Sequence, residues 1–469
     1  MTSATTPTAN PIVRSVRAWD RFWFFPADPT LLGFLRICAG LVTLYIHIAY
    51  TYDLQALLGK NAWVDLRTEN AFRFDHNWPY VPSGWEQTPP AGFAPEKGFP
   101  AWSLWYSVTD PRWMAIIHGC VLLVIFLFTI GFCTRVTSVL TWLAALTYIQ
   151  RSPTSLFGLD TMMNLMLLYL TIAPSGAALS VDRLLARHRA ARRALREGRP
   201  VPIMDVQPQV SARLALRLIQ INLCIIYFVA GLSKLQGRSW WSFTAVWYTM
   251  ANPEFSPMHV GPYVDFLRFL CNHRWLWELV MSFGVVFTFW VELGFPSLVW
   301  RPSMRWVMIG SALAMHIGIS MTMKLTTFSM MMGLMVLSFV PEETVRRLFR
   351  RRGSADEMTL RLDSRSRKQA RIASLLYAGD AWNQVEIEPT TPLSHIELVV
   401  PGRRVVKGYA VFERLTRKLP LLWPLALLTY LPPVRNLGSM WYPPSESAEA
   451  RPAAGDAARR ILQGEKIAP

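Results

Sequence analysis

The sequence predicts an all-α polytopic membrane protein with about eight transmembrane helices, followed by a small C-terminal α/β domain. The first observation is composition: 52% of the 469 residues are hydrophobic and only 17% are charged, against about 25% in soluble proteins. The second is the 20 Trp, 25 Phe and 14 Tyr, since such rings concentrate where hydrocarbon meets water. The third is that apolar residues form runs of about 20, the length that crosses a bilayer. These features exclude an ordinary soluble enzyme.

The apolar runs place the transmembrane domain at residues 30–341. Its predicted spans lie near 30–50, 113–133, 136–152, 159–178, 213–231, 278–300, 306–323 and 325–341. The preceding segment, 1–29, has no short apolar stretch ending in a small-residue cleavage site. We therefore expect it to remain as a cytoplasmic N-terminal segment.

Basic residues predict the orientation of the spans. The net charge of +17 comes mainly from blocks between apolar runs, at 14–21, 183–199, 301–305 and 346–352. The positive-inside rule makes that side cytoplasmic, with both termini inside and the long loops 51–112 and 232–277 outside. Charge in this arrangement argues against a nucleic-acid partner. Membrane topology is the favoured explanation of these basic blocks, and recognition of lipid headgroups is the alternative.

Lys234 is the main candidate for chemistry, because an ionisable group in hydrocarbon is costly and usually functional. Tyr227, Gly231 and Lys234 lie at i, i+4 and i+7, on one face of a helix. Gly231 permits close approach to the backbone, Tyr227 can hydrogen-bond a bound molecule, and a desolvated lysine can act as a base. The alternative is a lysine that reaches the outer headgroups from the end of its span.

His316 is the second candidate. It lies in the middle of a predicted span, and Ser320 and Lys324 continue its stripe at i+4 and i+8, which gives one polar seam on an apolar helix. A packed and hydrogen-bonded histidine is the alternative explanation.

Other ionisable residues have simpler explanations. Arg36 and Glu292 lie within predicted spans, where a salt bridge between helices accounts for them without a function. His47, His118 and Asp160 lie near span ends, where solvation at the interface is a sufficient explanation. The sequence contains no Walker A, GxGxxG or HExxH motif, and its five cysteines show no metal-ligand spacing. We therefore predict no metal.

Several segments resemble one known family in the same order along the chain. They are Asp28-Pro-Thr-Leu-Leu-Gly-Phe-Leu-Arg36, Leu156-Phe-Gly-Leu159, Leu179-Ser-Val-Asp182, Ala230-Gly-Leu-Ser-Lys-Leu235 followed by Trp240-Trp241, and Phe255-Ser-Pro257. The segments are similar to vitamin K-dependent γ-glutamyl carboxylases, and His316 matches a histidine in a late span of those proteins. The chain most closely resembles the bacterial HTTM (horizontally transferred transmembrane) group, which shares this region.

The resemblance implies a lyase-type, quinol-dependent reaction in a bacterial inner membrane. Lys234 takes the place of the catalytic lysine, which deprotonates reduced vitamin K or menaquinol; reaction with oxygen then gives a strong base that acts on a glutamate of a peptide or protein. The candidate quinol-binding residues are Tyr227, Gly231, His316, Trp241 and Arg36.

One departure weakens the prediction of complete carboxylation. Carboxylases have a histidine shortly before the Leu156-Phe-Gly-Leu159 segment, and here that position is Pro153, which cannot donate a proton. The alternative is a non-catalytic membrane scaffold or lipid-binding protein with a partner-binding C-terminal domain. A transporter is a third reading.

The chain after Pro341 is soluble in character. A basic linker, 342–357, leads into a domain at 358–442 and a tail at 443–469 that is predicted to be disordered. The predicted elements are strands at 358–362 and 385–388, a helix at 367–378 and a hairpin around Pro401-Gly402. Four prolines break the apolar stretch 419–433, so a ninth span is not expected there. An amphipathic helix that packs on this domain or lies on the membrane is the favoured reading.

The end of this domain resembles a second family. Gly408-Tyr-Ala-Val-Phe-Glu-Arg-Leu-Thr-Arg-Lys-Leu-Pro420, followed by Trp423-Pro-Leu, is similar to the end of DCC-family thioredoxin-like domains. The resemblance places Ser366 and Gln369 where that family has its two cysteines. No cysteine follows Cys271, and thiol–disulfide exchange requires a thiolate. The domain is therefore predicted to be a redox-inactive binding or packing module, and the protein not a thiol–disulfide oxidoreductase.

Overall fold

The computed structural model divides the chain into two compact units. It describes residues 11–66, 103–151, 156–254, 256–349, 358–363, 365–380, 383–390, 393, 395–400, 404–419, 422–441 and 445–447. The first unit, here the membrane unit, draws on Met1–Ser180 and Gln207–Glu342, and the second, here the sheet unit, on Val181–Val206 and Glu343–Pro469. The segment 181–206 thus belongs with the C-terminal domain, although the sequence analysis placed it in the transmembrane domain.

The described part of the membrane unit is built mainly of helices. Its longer helices are α1 (Pro11–Phe24), α2 (Thr30–Tyr52), α4 (Pro111–Ile130), α5 (Thr134–Arg151), α6 (Gly158–Ile172), α8 (Val210–Leu235), α11 (Gly261–Asn272), α12 (Arg274–Leu298), α13 (Pro302–Met323) and α14 (Thr326–Leu337). Short helices α3 (Leu54–Leu58), α9 (Arg238–Trp241) and α10 (Ala245–Met250) lie in the connections.

Each of the eight predicted spans coincides with a helix, and five of these helices are long and apolar enough to cross a membrane: α2, α4, α8, α12 and α13. The chain is therefore a multi-pass membrane protein. Helices α6 and α14 are apolar but only 15 and 12 residues long. The predicted span 159–178 stops at Ile172 because Pro174 cannot continue a helix.

Helix α4 shows how local sequence sets a helix boundary. The Asp110 carboxylate accepts hydrogen bonds from the backbone N–H groups of Arg112 and Trp113, at 2.9 and 3.2 Å, and Pro111 takes the first helical position. At the other end Gly131 adopts the left-handed conformation, with φ 73°, that glycine allows. Within the unit α4 packs along α2, and α8 packs along α12.

The sheet unit contains a mixed sheet with helices. Its elements are α7 (Val181–Arg196), α15 (Glu342–Phe349, whose first residue belongs to the membrane unit), β1 (Met358–Asp363), α16 (Arg367–Gly379), β2 (Val385–Thr390), β3 (Glu397–Val400), β4 (Arg404–Lys407), α17 (Ala410–Lys418), α18 (Trp423–Tyr430), α19 (Pro432–Trp441) and β5 (Ser445–Ser447). The strand order is β2-β1-β3-β4, extended at one edge by the short β5. Strands β1 and β2 are parallel, and the other pairs are antiparallel.

The predicted strands, helix and hairpin of this domain are confirmed. Alternate residues of β1, namely Met358, Leu360 and Leu362, are at most 3% exposed, as the period of a strand with one buried face requires. Helix α7 contributes Ala191 and Leu195 to the same core, so the core is assembled from two distant parts of the chain.

Arg187 joins those two parts. Its Nε and Nη2 donate to the Tyr377 carbonyl at 3.2 and 3.0 Å, and Nη1 donates to Asn383 Oδ1 at 2.6 Å. The guanidinium also lies 4.1 Å from the centre of the Tyr377 ring, an attractive cation–π geometry. Burial lowers the pKa of Arg187 from its usual range, and the nearby Tyr377 and Asp380 oppose that shift.

The apolar stretch after 419 forms two short helices, α18 and α19, of 8 and 10 residues, separated at Leu431, with Pro432 beginning the second. Neither is long enough to span a bilayer, as the prolines predicted. In the predicted disordered tail, Ser445–Ser447 pair with β4 as β5, and 443–444 and 448–469 lie outside the described residues. Residues 350–357 of the predicted linker lie outside them as well.

Candidate functional site

The predicted face of α8 meets two different neighbours. Tyr227 is 2% exposed, and its hydroxyl lies 2.8 Å from Nε2 of His316 in α13. The two rings are stacked with centres 6.0 Å apart, and Phe295 of α12 packs edge-on against the Tyr227 ring at 5.0 Å. The structure therefore brings together two residues that the sequence analysis selected separately.

Lys234, two turns further along α8, contacts α12 instead. Its Nζ lies 2.8 Å from Oε1 of Glu292, and the two side chains are 26% and 8% exposed. The Trp240 ring lies 5.5 Å from the same nitrogen. Oε2 of Glu292 is buried and has no hydrogen-bond partner among the described residues. A base needs a free lone pair, which the ammonium group of an ion pair lacks, so Lys234 would first have to pass a proton to Glu292.

Gly231 allows the two helices to approach closely. A Cβ at this position would lie 2.9 Å from Cγ of Leu293 and 3.3 Å from Cβ of Glu292. The close approach predicted from this glycine is thus made by α12 itself. This close approach also brings Glu292 of α12 against α8, at a height between Tyr227 and Lys234.

A cavity of about 730 Å³ lies between α2, α13 and α14, with His316 in its wall. Most of the wall is apolar, and Leu41, Ile317 and Met321, at its edge, are 55%, 60% and 70% exposed on membrane-spanning helices. Such side chains face lipid in a membrane protein, so the cavity opens toward the hydrocarbon. Its size falls within the range of small-molecule sites, roughly 300–1,000 Å³.

Two polar atoms at this cavity lack a partner. His316 is 3% exposed and Ser329 is 6% exposed, and both line the cavity. His316 Nδ1 and Ser329 Oγ make no hydrogen bond with any described residue. Leaving a buried polar group unpaired costs about 1–3 kcal/mol, so a bound molecule with a polar head can recover free energy here.

The rest of the predicted polar seam is engaged within the protein. Ser320 also lines the cavity, and its hydroxyl donates to Thr326 Oγ1 at 3.1 Å. Lys324 ends α13 in the left-handed region, with φ 55°, and its Nζ lies 2.9 Å from Nδ1 of His259. The seam therefore runs from the cavity wall, at His316 and Ser320, to the C-terminal end of α13, at Lys324.

Arg36 and Trp241 lie apart from the cavity wall. Arg36 is fully buried and donates from Nη1 to the Ser175 carbonyl and from Nη2 to the Leu179 carbonyl, both at 2.5 Å. It ties the loop after α6 to α2. Trp241 is 65% exposed, and its Nε1 donates to the Leu235 carbonyl at 2.7 Å.

A second polar cluster was missed by the sequence analysis. His47 and His118 are 0% and 3% exposed, so solvation at the interface does not explain them. Nδ1 of His118 lies 2.6 Å from the Tyr148 hydroxyl and Nε2 lies 2.9 Å from Thr51 Oγ1, and the His47 ring packs 4.6 Å from the Tyr148 ring. The recurrence of Thr43, His47 and Thr51 every four residues was the signal, since it marks one polar face of α2.

Asp160 has a local structural role at the start of α6. Its Oδ2 accepts a hydrogen bond from the Phe157 backbone N–H at 3.1 Å, which caps the helix. Pro153 and Phe255, which belong to the carboxylase resemblance, lie outside the described residues.

The two positions assigned to absent cysteines have structural hydrogen bonds. Ser366 caps α16, with its Oγ accepting from the Gln369 N–H at 3.4 Å. The Gln369 side chain is buried; its Oε1 accepts from the Asp363 N–H at 2.9 Å, and its Nε2 donates to the Leu393 carbonyl at 3.2 Å. Across the described part of the chain, no group of three or more His, Cys, Asp or Glu residues is arranged to hold a metal ion.

Comparison with known proteins gives no match: no family model, no curated protein and no solved structure matches this chain.

Proposed function

We propose that the membrane unit binds a lipid quinol in the cavity between α2, α13 and α14. The observation that carries the proposal is the pair of unpartnered buried atoms, His316 Nδ1 and Ser329 Oγ, on two residues of a mostly apolar wall that opens toward lipid. A quinol combines a ring with two oxygen atoms and an isoprenoid tail. Such a molecule matches a hydrocarbon-facing cavity with a few polar groups.

The bond between Tyr227 and His316 suits both redox forms of such a ligand. A neutral imidazole carries one N–H. If Nε2 accepts from the Tyr227 hydroxyl, Nδ1 is a donor and can bind a quinone carbonyl; if Nε2 donates, Nδ1 is an acceptor and can bind a quinol hydroxyl. Tyr227 would therefore act as a positioning residue for His316.

The carboxylase resemblance extends the proposal to chemistry. Together with oxygen, a bound quinol would supply the strong base that carboxylation needs, with a Glu-containing peptide or protein as the second substrate. Lys234 would accept the quinol proton only after its own proton has moved to Glu292, 2.8 Å away. Lys234 is not among the residues that line the cavity. The contacts therefore support binding more directly than they support this reaction.

We further propose that all eight helices at the predicted spans cross a bacterial inner membrane, with both termini cytoplasmic. The basic blocks at 14–21, 183–199, 301–305 and 346–352 support that orientation. The short helices α6 and α14 pack against each other and against α2 and α8, so protein surrounds much of their polar backbone. Reporter fusions after residues 60, 200 and 349 test this topology; an external reporter after 200 would contradict it.

The test of quinol binding compares matched variants in lipid nanodiscs. Menaquinone is titrated into the full-length protein, and into His316→Leu, Ser329→Ala and the control His273→Leu, whose histidine lies on an exposed turn. Loss of a buried hydrogen bond predicts that the dissociation constant rises about tenfold in His316→Leu and less in Ser329→Ala, with the control unchanged. Equal affinity in wild type and His316→Leu would refute the site.

The second candidate function is a non-catalytic membrane scaffold or lipid-binding protein. The hydrogen bonds of Ser366 and Gln369 favour it, because both side chains are already engaged within the domain. The β1-α16-β2 unit followed by the β3-β4 hairpin supports a thioredoxin-like origin for this domain. If wild-type protein in nanodiscs does not bind menaquinone, the scaffold is the better reading.

A further inference from the structure

The N-terminal helix α1 has two opposite faces. Ile12, Val16 and Trp19 recur at helical spacing and are 70%, 61% and 65% exposed, which gives α1 a broad exposed apolar face. Arg14, Arg17 and Arg21 repeat at i, i+3 and i+7 on the other side of the helix. Helices with this pattern lie in the plane of a membrane interface, with their aromatic and aliphatic face among the acyl chains.

The arginine face of α1 meets the start of α8. Arg14, Arg17, Arg21, Phe22, Phe25, Arg213 and Arg217 line one pocket of about 520 Å³, here the arginine pocket. Five arginines therefore line a small volume at the end of a membrane-spanning helix.

The two arginines of α8 are held in place by the N-terminal segment. Nε of Arg217 donates to the Phe22 carbonyl at 3.1 Å, and its guanidinium lies 4.2 Å from the centre of the Phe22 ring. Nε of Arg213 donates to the Phe25 carbonyl at 2.9 Å. These contacts fix the side chains and leave other N–H groups available on each guanidinium.

The charge of the arginine pocket is poorly balanced within the protein. Arg213 forms an ion pair with Glu342 at 3.2 Å. The side chains of Arg14, Arg17 and Arg21 make no ion pair or hydrogen bond with any residue that the structure describes. Guanidinium groups crowded without counter-charges repel one another, so an anion bound among them would relieve the repulsion.

We propose that the arginine pocket binds the phosphate of an anionic phospholipid headgroup. Arginine presents a planar fork of donors that matches phosphate oxygens, and several such forks are available here. The apolar face of α1 holds the pocket at the depth where lipid phosphates are concentrated. Phe22 and Phe25 provide an apolar part of the wall, which suits the glycerol region of a lipid and has no counterpart in a free phosphate ion.

The test measures lipid binding to purified full-length protein by native mass spectrometry. Phosphatidylglycerol is titrated into wild type and into Arg14→Gln/Arg17→Gln/Arg21→Gln, with phosphatidylcholine as the neutral lipid. The control is Arg189→Gln/Arg192→Gln/Arg196→Gln on α7, which removes the same charge at the same i, i+3, i+7 spacing from exposed side chains. The affinity for phosphatidylglycerol should fall at least about tenfold in the first variant only, since several charge-assisted bonds are lost.

A second variant, which conserves the charge, covers the case in which the glutamine variant inserts into the membrane with the wrong topology. Arg14→Lys/Arg17→Lys/Arg21→Lys preserves the positive charge that sets topology but loses the bidentate forks, so its affinity should fall several-fold. Equal losses in the α1 and α7 variants would overturn the proposal, because general charge would then explain binding. Displacement of the lipid by inorganic phosphate at equal concentration would also overturn it and identify a site for free phosphate.

Discussion

The hydroxyl of Tyr227 and Nε2 of His316 lie 2.8 Å apart and join α8 to α13 within the membrane unit. The bond places one imidazole nitrogen against a protein partner and leaves the other without a partner among the described residues, in a side chain that lines the cavity. Because the two nitrogens of a neutral imidazole have opposite roles, a change on the Tyr227 side alters what the cavity presents to a ligand.

We expect Tyr227→Phe to weaken menaquinone binding and to lower stability. The substitution leaves Nε2 of His316 buried without a partner, at a cost of about 1–3 kcal/mol. Thermal unfolding in nanodiscs should show the loss, and menaquinone titration should show a several-fold rise in dissociation constant. Tyr248→Phe is the control, since Tyr248 is 66% exposed. Unchanged stability and affinity in Tyr227→Phe would show that the hydrogen bond is dispensable.

Removing one partner of the ion pair between Lys234 and Glu292 should lower the stability of the protein more than removing both partners. Lys234→Met leaves the carboxylate of Glu292, whose side chain is 8% exposed, without its counter-charge. We expect this variant to lose about 3 kcal/mol, and Lys234→Met/Glu292→Leu to recover most of it. A double-mutant cycle from unfolding free energies measures the coupling. Additive effects of the two substitutions would contradict the pairing.

Gly231→Ala should force α8 and α12 apart. The added Cβ would lie 2.9 Å from Cγ of Leu293, so overpacking should cost about 1–3 kcal/mol. Gly231→Ala/Leu293→Ala should regain part of that stability, measured by thermal unfolding. At Gly310 nothing lies within 4 Å of an added Cβ, and Gly310→Ala should be neutral or slightly stabilising. Equal losses of stability at both glycines would contradict the packing explanation, because alanine is the better helix former and helix propensity alone would stabilise both variants.

Arg187→Ala should destabilise the sheet unit by about 3 kcal/mol. The substitution removes hydrogen bonds to the Tyr377 carbonyl and to Asn383, and a buried guanidinium stacked on an aromatic ring. Hydrogen exchange of the α16 amides reports this loss directly, and it should accelerate in Arg187→Ala but not in Arg189→Ala, where the side chain is exposed. Identical exchange in the two variants would show that Arg187 does not hold α7 to the domain.

The sequence predicted most of the helices and strands because they are set by local signals. Apolar runs located a helix at each predicted span, and strand periodicity located β1 and β2. Prolines identified 419–433 as broken, and Pro174 shortened α6 for the same reason. The assignment of 181–206 to the sheet unit was not predicted, because it depends on contacts across about 170 residues that no local pattern encodes.

The candidate site was predicted only in part. Tyr227 and His316 were selected as polar residues within spans, but their contact depends on the rotation of two helices that are distant in sequence. Glu292 was expected in a salt bridge, and its partner, Lys234, emerged only from the packing that Gly231 permits. Ser329 was missed, because a lone serine in an apolar helix has no distinctive pattern until the cavity beside it is known.

The split core of the sheet unit has a consequence for biosynthesis. Ala191 and Leu195 leave the ribosome long before their partners in β1 and β3, with the α8 to α14 region translated in between. Folding of the sheet unit must therefore wait until most of the membrane unit has been translated. A chain truncated before Met358 would present the apolar side of α7 to quality-control proteases, so completion of the sheet unit marks a fully synthesised protein.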